Sequence, residues 1–97
     1  MPRLRFSAEA TETIAKLAPS LQDAVLNTIL VIQADPWTAG KMLRGRMSET
    51  WVARVGSYRI LYTIEGHEQS AIVIVRAVLH RGIAYRTRRQ RDSDAAD

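Results

Sequence analysis

The chain has no cysteine and only two histidines, His67 and His80. Without thiols it can form neither disulfides nor thiolate-ligated metal centres. The two histidines do not fall in the spacing that metal-binding pairs use. We therefore expect no metal ion and no other cofactor.

Long hydrophobic runs are also missing from the sequence. No apolar stretch approaches the roughly 20 residues that a membrane-spanning helix needs. Residues 1–5 lead into a mixed, partly acidic helix pattern, whereas a secretory signal would continue into an apolar segment. We expect a soluble, cytoplasmic protein with no membrane partner, and its 97 residues fit a single domain.

Lysine is scarce, with two residues against twelve arginines, and the charge is unevenly distributed. Residues 41–91 hold eleven Lys or Arg against three Glu, a balance of +8, whereas residues 1–40 carry −1 and residues 92–97 carry −3. A strongly basic half favours a polyanionic partner, most simply nucleic acid. A solvated basic surface is the alternative, and charge alone does not decide between the two.

The first part of the chain has the pattern of a strand followed by a helix. Leu4 and Phe6 alternate with arginines, as in a short strand with one buried face. Ser7 then supplies the hydroxyl group of a helix N-cap. The helix should extend to about Leu17.

A second helix is predicted directly after the first. Ser20 and Asp23 resemble a helix start, and Asp35 should end the helix because the residue before Pro36 is disfavoured in the α conformation. Apolar residues recur at helical spacing along it, as expected for one apolar stripe. These residues are Leu21, Val25, Leu26, Ile29, Leu30 and Ile32, with Val31 beside them.

The second half is predicted to be a set of strands. After a connector at residues 36–49, strands are expected at residues 51–55, 58–64 and 71–78, with a short extended piece at 83–85. The order β-α-α-β-β-β predicts an α+β fold, in which a two-helix hairpin packs on a mainly antiparallel four-stranded sheet. This single domain should cover residues 1–86, and residues 87–97 should form a flexible charged tail.

Two arginines interrupt the apolar pattern of the first two of these strands. Period-two alternation places Arg54 and Arg59 opposite the apolar faces of their strands. If those apolar faces meet the helices, both arginines project from the open face of the sheet. Two guanidinium groups there could hold a phosphate in bidentate fashion. Alternatively, each arginine could pair with a glutamate on a solvated sheet.

The sequence around these arginines resembles a known family. The run VGSYRILYTI at residues 55–64, then an apolar strand and the pattern HR-x-x-x-Y at residues 80–85, closely resembles the RelE branch of the RelE/ParE toxin superfamily. The resemblance covers roughly residues 3–86. It implies a RelE-like toxin of a type II toxin–antitoxin pair, a metal-free endoribonuclease that cleaves messenger RNA, typically on the ribosome. It also implies a cognate antitoxin and a toxin–antitoxin hetero-oligomer.

The resemblance also suggests which residues carry the chemistry. In-line attack of a ribose 2′-OH on the adjacent phosphate needs cations, and Arg59 and Arg81 suit that electrostatic task. Tyr85 could orient the 2′-OH or stack on a base. Histidine is the side chain that commonly exchanges protons near neutral pH, so His80 is a candidate acid or base, although on a strand it would point away from Arg81. The residues expected to contact RNA phosphates are Arg54, Arg44 and Arg46.

The sequence departs from the family pattern in one strand. Strongly active members often carry two basic residues in the strand at residues 51–55, where this chain has Val52 and Arg54. Lysine is common at the second of these positions, and an arginine, with a pKa above about 12, is a poor general base.

Two other functions remain open from the sequence. Members of the ParE branch share the fold and inhibit DNA gyrase, and the late Arg81–Tyr85 pair favours the ribonuclease over them. The departure at Val52 and Arg54 also keeps open a module that binds RNA or antitoxin with weakened catalysis.

Overall fold

The computed structural model describes residues 1–43 and 49–80. The described helices and strands are β1 Arg3–Phe6, α1 Ala8–Lys16, α2 Pro19–Ala34, α3 Pro36–Ala39, β2 Lys41–Met42, β3 Trp51–Val55, β4 Tyr58–Glu65 and β5 Ile72–His80, with one 3-10 turn at Glu68–Ser70. The predicted α+β class and the hairpin of two long helices are confirmed. No helix among the described residues is long and apolar enough to cross a membrane.

Among the described residues the sheet has five strands, in the order β1-β5-β4-β3-β2. β1 pairs with β5 in parallel, and the other three pairings are antiparallel, so the prediction of a mainly antiparallel sheet is confirmed. The strand count is five where four were predicted, because β2 lies in the expected connector. β2 has only two residues, and a strand that short carries no hydrophobic period to detect.

The core lies between the helices and one face of the sheet. Its fully or nearly buried side chains are Ala10 and Ile14 from α1, Val25, Ile29 and Ile32 from α2, and Ala53, Ile60, Tyr62, Val73, Val75 and Val78 from the sheet. The sheet residues alternate along their strands, so their neighbours point to the opposite, open face. Burial of one sheet face fixes which side chains are left for a functional surface.

The second helix begins earlier than its sequence suggested. Ala18 is the N-cap of α2 and Pro19 is its first residue, with no side-chain cap, so the predicted start at Ser20 and Asp23 is wrong. Proline at the first helical position is favoured because its fixed φ suits the helix and its missing N–H has no helical partner there. The predicted end is confirmed, since α2 stops at Ala34.

Only part of the predicted apolar stripe of α2 is buried. Val25, Ile29 and Ile32 lie in the core, whereas Leu30 is 58% exposed and Val31 is 61% exposed. A helix that packs on a sheet with one face buries only that face. Leu21 packs against the edge of the core, and Leu26, Leu30 and Val31 remain exposed on α2.

Ser7 links the first helix to the sheet. Its hydroxyl oxygen accepts a hydrogen bond from the Ala10 N–H at 3.0 Å, which satisfies one free donor of the first turn of α1. The same hydroxyl donates to the Arg76 carbonyl oxygen of β5 at 2.6 Å. The predicted N-cap is thus confirmed, and it also joins α1 to a strand far along the chain.

We expect Ser7→Ala to lower the free energy of unfolding by about 1–2 kcal/mol, because both hydrogen bonds of the hydroxyl are lost. Urea denaturation would measure the change. Thr13→Ala is the matched control, since Thr13 Oγ1 donates only to the Glu9 carbonyl oxygen within the same helix. A midpoint for Ser7→Ala as high as that of the control would contradict the prediction.

Candidate functional site

Arg54 and Arg59 lie directly opposite each other on the open face of the sheet. They form a cross-strand pair between β3 and β4, and the neighbouring pair, Ala53 with Ile60, points into the core. Residues directly opposite on antiparallel strands project to the same side. The register therefore confirms the prediction, made from alternation, that Arg54 and Arg59 share the open face of the sheet.

The two arginines differ in their exposure. Arg59 is 7% exposed, and its Nη1 donates to the Tyr58 carbonyl oxygen at 3.4 Å, whereas Arg54 is exposed. Like charges directly opposite on a sheet are destabilising. Deprotonation offers no relief, because a guanidinium group stays charged in proteins. The pair thus holds two positive charges together at a place where an anion would be stabilised.

A cleft of about 740 Å³ opens beside this pair. Arg54 and Arg59 line one side, and the segment from Thr38 to Leu43 lines the other. Lys41 lies in that second wall, paired with Val52 on the same sheet face as Arg54. The cleft therefore has three cations around it, and the sequence analysis missed Lys41 because residues 36–49 read only as a connector.

A buried tyrosine holds the second wall in place. The Tyr62 hydroxyl donates to the Pro36 carbonyl oxygen at 2.7 Å, and the Tyr62 side chain is fully buried. Burial, with a smaller effect of the Asp35 charge, raises the pKa of Tyr62 to about 12. A Cβ atom on Gly40 would lie 2.5 Å from the Tyr62 hydroxyl oxygen, so α3 and β2 pass close over this ring.

Tyr62→Phe should lower stability near neutral pH by about 1–2 kcal/mol, because the Pro36 carbonyl oxygen loses its donor. The pKa of Tyr62 is raised in the fold, so its contribution is fully present below pH 10 and is lost as pH rises through about 12. The stability difference between the wild-type chain and Tyr62→Phe should therefore shrink above pH 10. Urea denaturation of both proteins across this range would test it, and a constant difference would refute it.

His80 lies on the other side of the sheet from the arginine pair. It is exposed and pairs with Tyr58, and the two rings meet edge to face with centroids 5.4 Å apart. Tyr58 packs against the core, so His80 points to the helix side of the sheet. The structure therefore does not bring His80 together with Arg59.

Four other residues of the predicted site lie outside the described residues, namely Arg44, Arg46, Arg81 and Tyr85. The predicted extended piece at residues 83–85 and the predicted tail at residues 87–97 also lie outside them. Within residues 1–43 and 49–80, no group of three His, Asp or Glu side chains is arranged to hold a metal ion. The described part of the site is thus a cluster of cations: Arg54, Arg59 and Lys41.

Comparisons with known proteins agree on the family. Residues 4–85 match the family model described as the ParE toxin of the type II toxin–antitoxin system parDE. Toxin RelG from Mycobacterium tuberculosis is 37% identical over 84 residues, which cover 86% of this chain and 94% of that toxin. The match of more than four-fifths of the chain to one model establishes the family on sequence alone.

Solved structures give the same result for the fold. The toxin–antitoxin complex RelBE2 from Mycobacterium tuberculosis matches with a TM-score of 0.72 and 32% identity, over 84% of this chain and 100% of the matched chain. The intact Escherichia coli RelBE complex matches with a TM-score of 0.70 and 21% identity, over 82% and 96%. A YoeB/ParE toxin from Agrobacterium tumefaciens matches with a TM-score of 0.70 and 14% identity, over 80% and 97%. This chain belongs to the RelE/ParE superfamily of toxins from type II toxin–antitoxin systems.

Proposed function

We propose that this toxin is a metal-free endoribonuclease that cleaves messenger RNA on the ribosome and so blocks translation. The observation that carries the proposal is the cross-strand pair of Arg54 and Arg59 beside a cleft of about 740 Å³. Guanidinium groups match the oxygen geometry of phosphate and bind it in bidentate fashion. The proposal includes a cytoplasmic site of action, where ribosomes translate.

The rate of this reaction depends more on stabilisation of the negative charge in the transition state than on a strong base. The ribose 2′-oxygen loses its proton and bonds to the adjacent phosphorus, the bond from phosphorus to the 5′-oxygen breaks, and the 5′-oxygen gains a proton. Negative charge grows on the phosphate oxygens between these events. Arg59, held by burial in one place, would stabilise that charge without having to reorganise.

The remaining roles in the reaction follow the family resemblance. Arg81 would share the stabilisation of the phosphate, and Tyr85 would orient the 2′-OH or stack on a base. Arg44 and Arg46 would contact phosphates farther along the strand. Lys41, which the structure adds to the cleft, carries a primary amine. It is a further candidate for accepting the 2′ proton, a task to which Arg54 is poorly suited.

We further propose that a cognate antitoxin binds this chain. Two similar solved structures, RelBE2 and the Escherichia coli RelBE, are complexes of toxin with antitoxin. An apolar cleft of about 310 Å³ lies where the helical hairpin adjoins the first strand, and its lining includes Phe6 of β1, Ile14 of α1 and Leu26 of α2. An amphipathic partner segment could fill this cleft, and its acidic residues would complement the basic half of the chain.

Inhibition of DNA gyrase is the second candidate function. The matching family model is described as a ParE toxin, and ParE-branch members act on gyrase. Val52, at a position that is often basic in active ribonucleases, also favours this reading. Ribonuclease and gyrase-inhibiting toxins share one fold, so the fold alone does not distinguish the two functions.

A direct test mixes the toxin, freed of any co-expressed antitoxin, with ribosomes stalled on a defined message. Primer extension should reveal new 5′ ends, and a parallel reaction should leave supercoiling by gyrase unaffected. Intact message together with gyrase trapped on DNA would refute the ribonuclease and establish the second candidate. Inactivity in both reactions would leave a module that binds antitoxin or RNA.

A further inference from the structure

The open face of the sheet carries a second pair of arginines, away from the cleft. Arg5 on β1 lies beside Ile74 of β5, which in turn lies beside Thr63 of β4. Arg76 is the extra residue of a bulge, since Tyr62 pairs with Val75 and Leu61 pairs with Ala77. Both Arg5 and Arg76 are exposed.

Arg76 is fixed in orientation although it is exposed. Its Nε donates to Thr63 Oγ1 at 3.1 Å, which shows that its side chain lies over the open face next to Thr63. That contact uses one of its five N–H donors, and among the described residues no protein acceptor is bonded to the two terminal nitrogens of this exposed side chain. A guanidinium group held in this way can bind an oxyanion without first losing its side-chain freedom.

The geometry of the sheet sets how far this second pair lies from the first. Thr63 is four residues along β4 from Arg59, a distance of about 14 Å at the usual strand rise. The apolar side chains of Leu61 and its cross-strand partner Ala77 occupy the row between the two pairs. The open face therefore has cations at two separated places with apolar surface between them, a pattern that suits successive phosphates and bases of one strand.

We propose that Arg76 and Arg5, together with the Thr63 hydroxyl, form a second phosphate-binding subsite for the RNA strand whose cleavage site lies at Arg54 and Arg59. This inference rests on the proposed function and extends it to residues that play no part in the reaction. The ligand at the subsite is the sugar–phosphate backbone of single-stranded RNA. The subsite would bind substrate and transition state equally well.

An acidic protein segment is the competing occupant of this surface. The observations favour RNA because the subsite lies on the same sheet face as the Arg54–Arg59 pair, whereas the apolar cleft at Phe6 and Leu26 lies where the helical hairpin adjoins β1. Glu65 is also on the open face, in the row of Ile72 and the exposed Arg3, where the glutamate repels a polyanion and the arginine attracts it. The proposed track therefore covers the rows from Arg54 to Arg5.

The test measures binding of an RNA dodecanucleotide that is 2′-O-methylated throughout, so that no 2′-OH can attack. Fluorescence anisotropy across a salt series gives both the affinity and its salt dependence. Arg76→Gln and, separately, Arg5→Gln should each weaken binding roughly three- to tenfold and reduce the magnitude of the log K against log salt slope by about 0.7. Lys16→Gln, which removes an exposed cation from α1, should change neither quantity.

Cleavage kinetics add a readout that a folding defect would not reproduce. Arg76→Gln should raise KM and leave kcat unchanged, since a subsite of this kind contributes the same binding to substrate and transition state. Urea denaturation of both arginine variants would verify that they fold. If Arg76→Gln does not fold, Arg5→Gln, on the edge strand, still tests the subsite.

Each outcome bears on a different proposal. If Arg59→Gln weakens RNA binding but Arg76→Gln and Arg5→Gln do not, the second subsite is refuted and the proposed function stands. Weaker binding of poly-glutamate with unchanged RNA binding would also refute the subsite and assign this surface to an acidic protein. RNA binding that depends on Arg76 without any cleavage supports the subsite while the ribonuclease fails, and a wild-type chain that does not bind RNA refutes both.

Discussion

Arg59→Ala should lower the rate of message cleavage by about two to three orders of magnitude, the loss typical of removing one preorganised donor to a developing oxyanion. Arg59 is nearly buried beside the cleft and lies opposite Arg54, so its loss leaves only the exposed cations Arg54 and Lys41 among the described residues of the cleft. Single-turnover cleavage of an end-labelled message on stalled ribosomes would measure the effect.

Two variants show whether the effect belongs to the guanidinium fork of Arg59. Arg59→Lys keeps the charge but not the bidentate geometry, and we expect it to recover only part of the rate. Arg54→Ala removes an exposed contact and should cost less than Arg59→Ala. Cleavage by Arg59→Ala at the wild-type rate, from protein with an unchanged urea midpoint, would exclude Arg59 from the reaction.

Gly40→Ala should lower the free energy of unfolding by about 1–3 kcal/mol, the usual cost of overpacking a tightly packed site. The added Cβ atom would lie 2.5 Å from the Tyr62 hydroxyl oxygen and 2.6 Å from the Val52 carbonyl oxygen. Neither group can move freely, because Tyr62 donates to the Pro36 carbonyl oxygen and Val52 belongs to β3. Urea denaturation would measure the loss.

A double-mutant cycle identifies the cause of that loss. Tyr62→Phe removes the hydroxyl oxygen that the new methyl group would meet, so Gly40→Ala should cost less in that background than in the wild-type chain. Gly56→Ala is a useful contrast, because no atom lies within 4 Å of the added Cβ. Any loss of stability in that variant would arise only from the φ of +59°, which alanine adopts less readily than glycine. A Gly40→Ala protein as stable as the wild type would contradict the predicted contact.

The sequence predicts the sheet best where the hydrophobic pattern is local. Alternation along residues 51–65 correctly predicts that Arg54 and Arg59 share the open face, and Gly56 correctly marks a two-residue hairpin turn. Both features depend on neighbouring residues and on the period of two between strand faces. The placement of Arg54 and Arg59 follows from them, whereas that of Lys41 does not.

The rest of the site depends on contacts between distant parts of the chain. β2 and α3 have two and four residues, and they are held over the cleft by Tyr62 and by pairing with β3, which leaves no local pattern to recognise. The bulge at Arg76 likewise depends on the register between β4 and β5. The sequence of β5 shows only a charged residue within an apolar strand, which does not identify a bulge. Local propensity does not specify such register.

The parallel pairing of β1 with β5 constrains the order in which the molecule can fold. Arg3 pairs with Ile72, so almost the whole described chain separates the two strands that form one side of the sheet. During synthesis β1 has no partner until β5 has left the ribosome. Closing so long a loop also slows folding relative to local pairing. A nascent chain that lacks β5 cannot complete the sheet, and the same strand order delays assembly of the arginine-bearing face until β5 has been synthesised.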